Sequence, residues 1–380
     1  MKKKILFVTA TRADFGKLKS LIKISKKNKR FKIFIAVTGM HMMLQFVSTH
    51  TEVDKFFKSN VIKFKNQIIS NRLEIVLNNT IKKFSKIVNM LKPDLIIIHG
   101  DRVETLACAL VGSLNHILTG HIEGGELSGT IDDTIRHAVT KLSHVHFVGN
   151  KEASSRVLSM GEKKESIFTI GSPDMDVLLS KKLPSIKLVK RRYGIDFEKY
   201  AILLWHPVTS NIVNLKQDTK RLINFVNKYN QKFIVIYPNN DPGTKIITDC
   251  YLQFLNKRKC KIFRSLRFEN FVTLLKNAEF IIGNSSAGVY EAPIFGIPTI
   301  NIGNRKHKRL NTKIINNIEI NNVNSNNINY FLKNYKSIKK RYYGTGKSDK
   351  KFLQIIQKAS FWKTSKQKYF SDSKVKPKKN

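Results

Sequence analysis

A chain of 380 residues with 41% hydrophobic content is long enough for two domains with separate cores and too apolar to be disordered. Its formal net charge of +42 invites acidic partners, yet the lysines are spread over the whole length among Asn and Ile, residues of A- and T-rich codons. The charge therefore reads first as solvated surface and second as an attraction to anionic surfaces, for which the basic tail 363–380 is the best candidate. No specific nucleic-acid partner is expected, and no apolar run approaches the roughly 18–20 residues of a membrane span.

Strand-like runs alternate with helical-length segments from the start, the pattern of α/β architecture with parallel sheets. MKKKILFVTATRADF turns polar at Thr9, as a first strand does and a signal peptide does not. The first-half strands are expected at residues 4–9, 32–38, a weak 61–64, 94–99, 117–121, 145–148 and 167–170. Gly171-Ser172-Pro173 closes this half, and the charged stretch 180–198, with Pro184 and Gly194, marks the boundary between units 1–179 and 199–348. Strands restart at 201–205, 233–237, 261–263, 280–282 and 299–302. After Gly303 the chain turns Asn-rich, with helical patterns near 328–342 and 350–362, so that 349–380 is a C-terminal helix and basic tail. The expected fold is two doubly wound, Rossmann-like domains with a ligand cleft between them.

Polar clusters follow the carboxyl ends of these strands. Thr11-Arg12-Ala13-Asp14, His99-Gly100-Asp101-Arg102, His121-Ile122-Glu123-Gly124-Gly125, His206-Pro207-Val208-Thr209, Pro238-Asn239-Asn240-Asp241, Gly283-Asn284-Ser285-Ser286 and Gly303-Asn304-Arg305 all do so. Turns need Gly, Asn and Pro there but not Arg, His and Asp, so the repetition points to a site shared by both domains. Asp101, Glu123, Glu126 and Asp132-Asp133 could converge with Arg102 and Arg136 on one cleft, a set suited to acid/base chemistry on a polar, anionic substrate.

Asn284-Ser285-Ser286-Ala287-Gly288 bridges a strand and a helix whose first turn is expected to hold Glu291, an arrangement able to meet a phosphate. Arg12 and Arg305 offer bidentate forks for the same purpose or ordinary surface ion pairs. No GxGxxG fingerprint or Walker loop supports a nicotinamide or ATP site. His144 and His146 alternate on one strand face, but no Cys or Asp completes a metal set nearby. His137, four residues after Asp133, fits an ion pair as well as a catalytic role. Cys108, Cys250 and Cys260 are odd in number and lack metal-ligand spacing, which fits a reducing cytoplasm.

The motifs Thr11 to Leu18, His99 to Arg102, His121 to Glu126 with Gly129-Thr130-Ile131-Asp132-Asp133, His206 to Thr209 and Gly283 to Ser286 closely resemble the hydrolysing UDP-N-acetylglucosamine 2-epimerases of bacterial sialic-acid synthesis. The likeness runs in order from about residue 3 to 310 and fades beyond; Ala10 stands where relatives often carry glycine. It implies a fold like that of GT-B glycosyltransferases, with the nucleotide held mainly by the second domain. It implies that UDP-N-acetylglucosamine and water give N-acetylmannosamine and UDP, without a cofactor or metal. Asp101, Glu123 and Asp132 match the family's catalytic carboxylates, and His206 matches a residue that supports catalysis beside the diphosphate. Arg12, Arg102, Asn239, Ser285, Ser286, Glu291 and Arg305 match nucleotide or diphosphate contacts. Relatives also suggest a homodimer or homotetramer.

Several carboxylates suit that reaction, because no carbonyl acidifies the C2 proton of the sugar. Departure of UDP must run ahead, creating positive charge at C1 and O5, before a base removes the C2 proton and a second acid returns one to the opposite face. Non-hydrolysing relatives carry Arg-Pro-Glu where this chain has Arg12-Ala13-Asp14. Nucleotide-linked 2,4-diacetamido-2,4,6-trideoxyhexoses are alternative substrates that these motifs do not separate. A GT-B glycosyltransferase would leave the acids from Asp101 to Asp133 without a task. Membrane contact is expected at most from the basic tail.

Overall fold

A computed structural model describes residues 2–44, 49–67, 72–128, 131–208, 212–303, 314–337, 339 and 342–369. Arg305, Thr209, Gly129-Thr130 and residues 370–380 lie outside the described residues. The first sheet comprises β1 (Lys3–Thr9), β2 (Phe31–Val37), β3 (Val61–Lys63), β4 (Leu95–His99), β5 (Leu118–Ile122), β6 (Val145–Val148) and β7 (Ile167–Thr169). They run in the order β3-β2-β1-β4-β5-β6-β7, all parallel. The second comprises β8 (Ala201–Leu204), β9 (Phe233–Ile236), β10 (Cys260–Phe263), β11 (Ile281–Gly283), β12 (Thr299–Ile302) and β13 (Ile315–Ile318). Their order is β10-β9-β8-β11-β12-β13, again parallel throughout.

Central strands such as β4, with Leu95-Ile96-Ile97-Ile98 buried throughout, are apolar on both faces because helices cover both sides of a parallel sheet. Each sheet reverses winding direction once, between β1 and β4 and between β8 and β11. Loops splay apart at such a switch point, which makes the carboxyl ends of those four strands the natural ligand crevice.

Most expected strands are present to within a residue at each end. β13 was not expected: Asn316 and Asn317 break its apolar pattern, which an edge strand tolerates, and Asn317 Oδ1 accepts from Asn301 Nδ2 at 2.8 Å. The helix expected at 328–342 is Ser325–Asn334, and the one at 350–362 is Ser348–Ile356 followed by a short 3-10 turn, Ala359–Lys363. That last helix crosses back to the first sheet, where Phe352 is fully buried with ring centroids 6.3 Å from Phe7 and 4.9 Å from Phe147. Among the described residues no helix is long and apolar enough to cross a membrane.

Candidate active site

Thr11 caps the helix Arg12–Lys27 in a reciprocal box: its hydroxyl accepts from Asp14 N at 3.2 Å, and Asp14 Oδ1 accepts from Thr11 N at 3.0 Å. Asp14 also takes the Ala10 N–H at 2.9 Å, so this acid shapes the loop after β1 and sets Arg12 at the first helical position. From there Arg12 reaches across to the second domain, where Nη1 donates to Ser265 Oγ at 3.0 Å. Its Nε lies 3.2 Å from Glu52 Oε2.

After β4 the chain turns at Gly100, and Arg102 stands just before the helix Val103–Leu114 with its Nε donating to Glu104 Oε2 at 3.2 Å. Asp101 meets Arg136 Nη2 in a close ion pair. Arg136 comes from the helix Ile131–Leu142, whose first turn carries Asp132, and its Nη1 donates to the main-chain carbonyl of Glu123 at 2.8 Å. Glu123 follows β5 with φ of 67°, a left-handed conformation that costs a non-glycine residue free energy and persists where neighbours over-determine it. Those neighbours are Arg136, His99 Nε2 at 3.3 Å, Lys17 Nζ at 3.4 Å and Ser172 Oγ at 3.4 Å.

Charge is dense behind this wall. Lys17 Nζ lies 2.9 Å from Asp174 Oδ2 as well as beside Glu123. Burial alone would raise the Glu123 carboxyl, but Lys17, His99 and Arg136 outweigh it and hold the group well below the usual carboxylate range. Burial pushes the Asp174 carboxyl up despite Lys17. Glu291, 5% exposed, is pushed up to about 7, by burial first and then by Asp174 and Glu123, with Lys17 opposing. The half-buried Lys17 ammonium among three carboxyls, with His99 and Arg136, thus favours the ionised form of Glu123 and leaves Glu291 to titrate near neutrality.

The second-domain wall is built differently. At Gly283, φ is 132° and an added Cβ would fall 1.9 Å from Leu204 O, so only glycine lets β11 run this close to β8. The close approach lets Asn284 bridge the main chain of His206: its Oδ1 accepts from His206 N and its Nδ2 donates to His206 O, both at 2.8 Å. The Asn239 N–H donates to His206 Nδ1 at 3.4 Å, which leaves the ring proton on Nε2. Ser285 Oγ accepts from Ala287 N at 3.3 Å. Besides Arg12 to Ser265, side-chain contacts between the domains include Tyr290 hydroxyl to Glu126 Oε2 at 3.3 Å, Arg102 Nη1 to Asp241 Oδ1 at 3.9 Å, Asn240 Nδ2 to Gln67 Oε1 at 3.1 Å and Lys19 Nζ to Glu269 Oε1 at 2.7 Å.

A cavity of about 320 Å³ lies between the walls, at the lower end of the range for small-molecule sites. Arg12, Asp101, Arg102, Glu123, Asp132, His206, Asn239, Ser285, Ser286 and Glu291 all line it, while Arg305 lies outside the described residues. The expectation of a helix with Glu291 in its first turn needs correction. Ala287–Tyr290 is a single turn, Glu291 stands at a break, and Ala292–Phe295 is a second turn with Pro293 near its start. Pro293 cannot continue the hydrogen-bond ladder, and so short a helix has little dipole, so an anion here relies on hydroxyl and main-chain donors.

His137 lies outside the cavity lining and makes no ion pair among the described residues. His146 Nε2 lies 3.0 Å from Glu162, and His144 Nδ1 accepts from Thr119 N at 3.1 Å, so these rings are used in packing. Among the described residues no group of three His, Cys, Asp or Glu side chains is placed to hold a metal ion. Sequence reading missed Asp174, although it follows the last strand of the first sheet as the other site acids follow theirs. Lys17, quoted only as part of a motif, was not singled out as the ammonium at the centre of the site.

A family model described as UDP-N-acetylglucosamine 2-epimerase matches residues 23–357. The UDP-N-acetylglucosamine 2-epimerase of Neisseria meningitidis serogroup B is 42% identical over 97% of this chain and 99% of its own. The hydrolysing UDP-N,N'-diacetylbacillosamine 2-epimerase of Legionella pneumophila is 30% identical over 94% and 96%. A crystal structure of a UDP-GlcNAc 2-epimerase from Neisseria meningitidis bound to UDP-GlcNAc superposes with a TM-score of 0.76 at 18% identity, covering 93% of this chain and 99% of that one. The two parallel-sheet domains are therefore GT-B-like in arrangement. With most of its length matched in sequence and its cleft at the paired switch points, the chain belongs to the UDP-N-acetylglucosamine 2-epimerase family.

Proposed function

We propose that the chain converts UDP-N-acetylglucosamine and water to N-acetylmannosamine and UDP in the cytoplasm, feeding N-acetylneuraminate biosynthesis. The observation that carries this reading is the division of one cleft into a wall of carboxylates tied to buried cations and a wall of hydroxyl, imidazole and main-chain donors. The first suits proton transfer around a sugar ring; the second suits a diphosphate whose negative charge grows as it departs.

In the first half-reaction the C1–O bond to the diphosphate breaks and its electron pair leaves with UDP. A carboxylate takes the C2 proton, and the electron pair of that C–H bond forms the C1–C2 double bond of a glycal. In the second, water gives its oxygen to C1 and one proton to a site base, while an acid delivers a proton to the opposite face of C2. Glu123, held anionic by its cations, is a weak base and is assigned to stabilise positive charge at C1 and O5. Asp101 and Asp132 carry the proton transfers. His206, with its proton on Nε2, donates to the departing diphosphate, alongside Arg12, Arg102, Ser285 and Ser286. Asn239 and Glu291 hold the nucleoside, a carboxylate being a good acceptor for ribose hydroxyls.

Proton NMR of the purified protein with UDP-N-acetylglucosamine in D2O tests the reading. Free N-acetylmannosamine with deuterium at C2, together with UDP, is the expected result; UDP-N-acetylmannosamine overturns hydrolysis. A second reading takes a nucleotide-linked 2,4-diacetamido-2,4,6-trideoxyhexose as substrate, favoured by the name of the Legionella relative. Turnover of that sugar with UDP-N-acetylglucosamine untouched selects it.

A further inference from the structure

The basic tail, read from sequence as the part most open to anionic surfaces, folds onto the first domain as far as it is described. Lys368 Nζ lies 2.7 Å from Glu162 Oε2 and donates to the main-chain carbonyls of Lys141 at 2.7 Å and Thr140 at 3.3 Å, and to that of Ser143. These carbonyls belong to the last turn of the helix Ile131–Leu142 and the residue after it, where a helix runs out of intrahelical donors. An ammonium there also faces the negative end of the helix dipole.

Glu162 gathers the surrounding charges. It is 3% exposed, and it holds Lys141 Nζ at 2.8 Å and His146 Nε2 at 3.0 Å in addition to Lys368. His144 Nε2 lies 3.1 Å from the carbonyl of Lys366, and Lys163 Nζ lies 5.9 Å from the centre of the Tyr369 ring. Burial keeps both imidazoles below their ordinary pKa, so the cations balancing Glu162 at neutral pH are the two lysines.

The other end of the same helix carries the chemistry. Asp132 is in its first turn, and Arg136 joins it to Asp101 and to the carbonyl of Glu123. A third link leaves from its last turns, where Thr140 Oγ1 lies 3.1 Å from His121 Nδ1 and His121 Nε2 lies 2.8 Å from Gly100 O, the residue before Asp101. A shift of this helix therefore moves Asp132 and Arg136 and disturbs the turn that presents Asp101.

We propose that residues 365–369 form a strap, fastened through Lys368 and Glu162, that fixes the helix Ile131–Leu142 and so aligns Asp132, Arg136 and Asp101 for catalysis. Lys368 and Glu162 are positioning residues, remote from the substrate. The kinetic part of the argument rests on the proposed 2-epimerase activity; the structural part does not.

The test compares the full-length wild type with Lys368→Met, Lys368→Arg and Lys366→Met. The last removes the same charge two residues away and leaves the carbonyl contact to His144 intact. Turnover of UDP-N-acetylglucosamine, UDP binding by calorimetry and amide hydrogen exchange are measured on each. In Lys368→Met, kcat is expected to fall by about 10- to 100-fold, the upper figure being the cost of a remote misplacement of about 1 Å, with KM and UDP affinity within about twofold. Amides of Ile131–Leu142 exchange faster while those of β4 and β5 keep their protection. Lys368→Arg recovers most of kcat, and Lys366→Met behaves as wild type.

Unchanged exchange in Lys368→Met, identical behaviour of Lys366→Met, or loss of protection spread evenly over the first sheet each overturns the strap. Should the wild type leave UDP-N-acetylglucosamine untouched, the functional reading falls. Exchange in Ile131–Leu142 then decides the strap by itself: faster in Lys368→Met alone supports it, and no difference overturns it.

Discussion

The two walls of the cleft reach similar positions in similar folds by different means. On the first domain, Asp101, Glu123, Lys17, Arg136 and Asp174 are side chains that fix one another by ion pairs, several of them buried. On the second, the main chain is fixed first, by Gly283 and by the two-way bridge from Asn284, and His206 and the serines take their places from it. A buried ion-pair lattice can hold protonation states apart, whereas a wall of main-chain donors can meet negative charge with no change in its own protonation. Proton transfer should therefore depend on the first wall, and the holding and release of the diphosphate on the second together with Arg12 and Arg102.

The strongest challenge to that division is Asp101→Asn. It is expected to lower turnover at least about 10³-fold, the scale of losing a general acid or base, while UDP binds as before. Substantial turnover by the variant removes Asp101 from the mechanism. Lys17→Met follows, because it strips the cation that holds Glu123 ionised. Glu123 then takes up a proton at higher pH, so the acidic limb of the kcat profile is expected to move upward. An unmoved limb would mean that Glu123 is not among the groups that must be ionised.

On the other wall, Ser286→Ala is expected to lower kcat/KM for the UDP-sugar about 10-fold, the effect of losing one hydrogen bond to a charged group, with kcat falling as well because that charge grows as the diphosphate departs. A rise in KM with kcat unchanged would confine the serine to ground-state binding. The mildest probe is Glu291→Gln. The Glu291 carboxyl, about 7 when folded, lies above its ordinary 4.5, so the unfolded chain loses this proton first and stability falls as pH rises from 4.5 through 7. The glutamine variant is thus expected to melt a few degrees above wild type at pH 8 and no higher at pH 4.5. A constant difference across that range would mean that the gain does not come from this titration.

Much of this site was legible because an open parallel sheet puts its loops at one edge, so residues after apolar runs could be gathered without knowing the fold in detail. That rule found Asp101 after β4, Glu123 after β5 and Ser285 after β11. What it passed over had no pattern to show. Lys17 is one of 69 Lys and Arg residues and stands in a helix where a charge is ordinary. Asp174 is a lone acid behind Gly-Ser-Pro, and its value comes from a lysine about 160 residues away, a pairing only tertiary structure creates. The break at Glu291 was readable from Pro293, two residues on. The strap was hidden by composition, because a run of lysines resembles a solvated tail until a buried Glu162 is seen to receive one of them.

The return of Phe352 to the first sheet also bears on how the protein is made. Phe352 fills the space between Phe7 and Phe147, Phe361 packs against Phe147 and Trp362 against Phe31, and the Phe361 and Trp362 rings meet edge to face. A ribosome delivers Phe7 at the outset and Phe352 only after every strand of the second sheet. At about 5–20 residues per second, the first domain waits some tens of seconds for the piece that completes its core. The half of the molecule translated first is thus the half that matures last, and for that interval the nascent chain exposes an aromatic hollow that chaperones can shield.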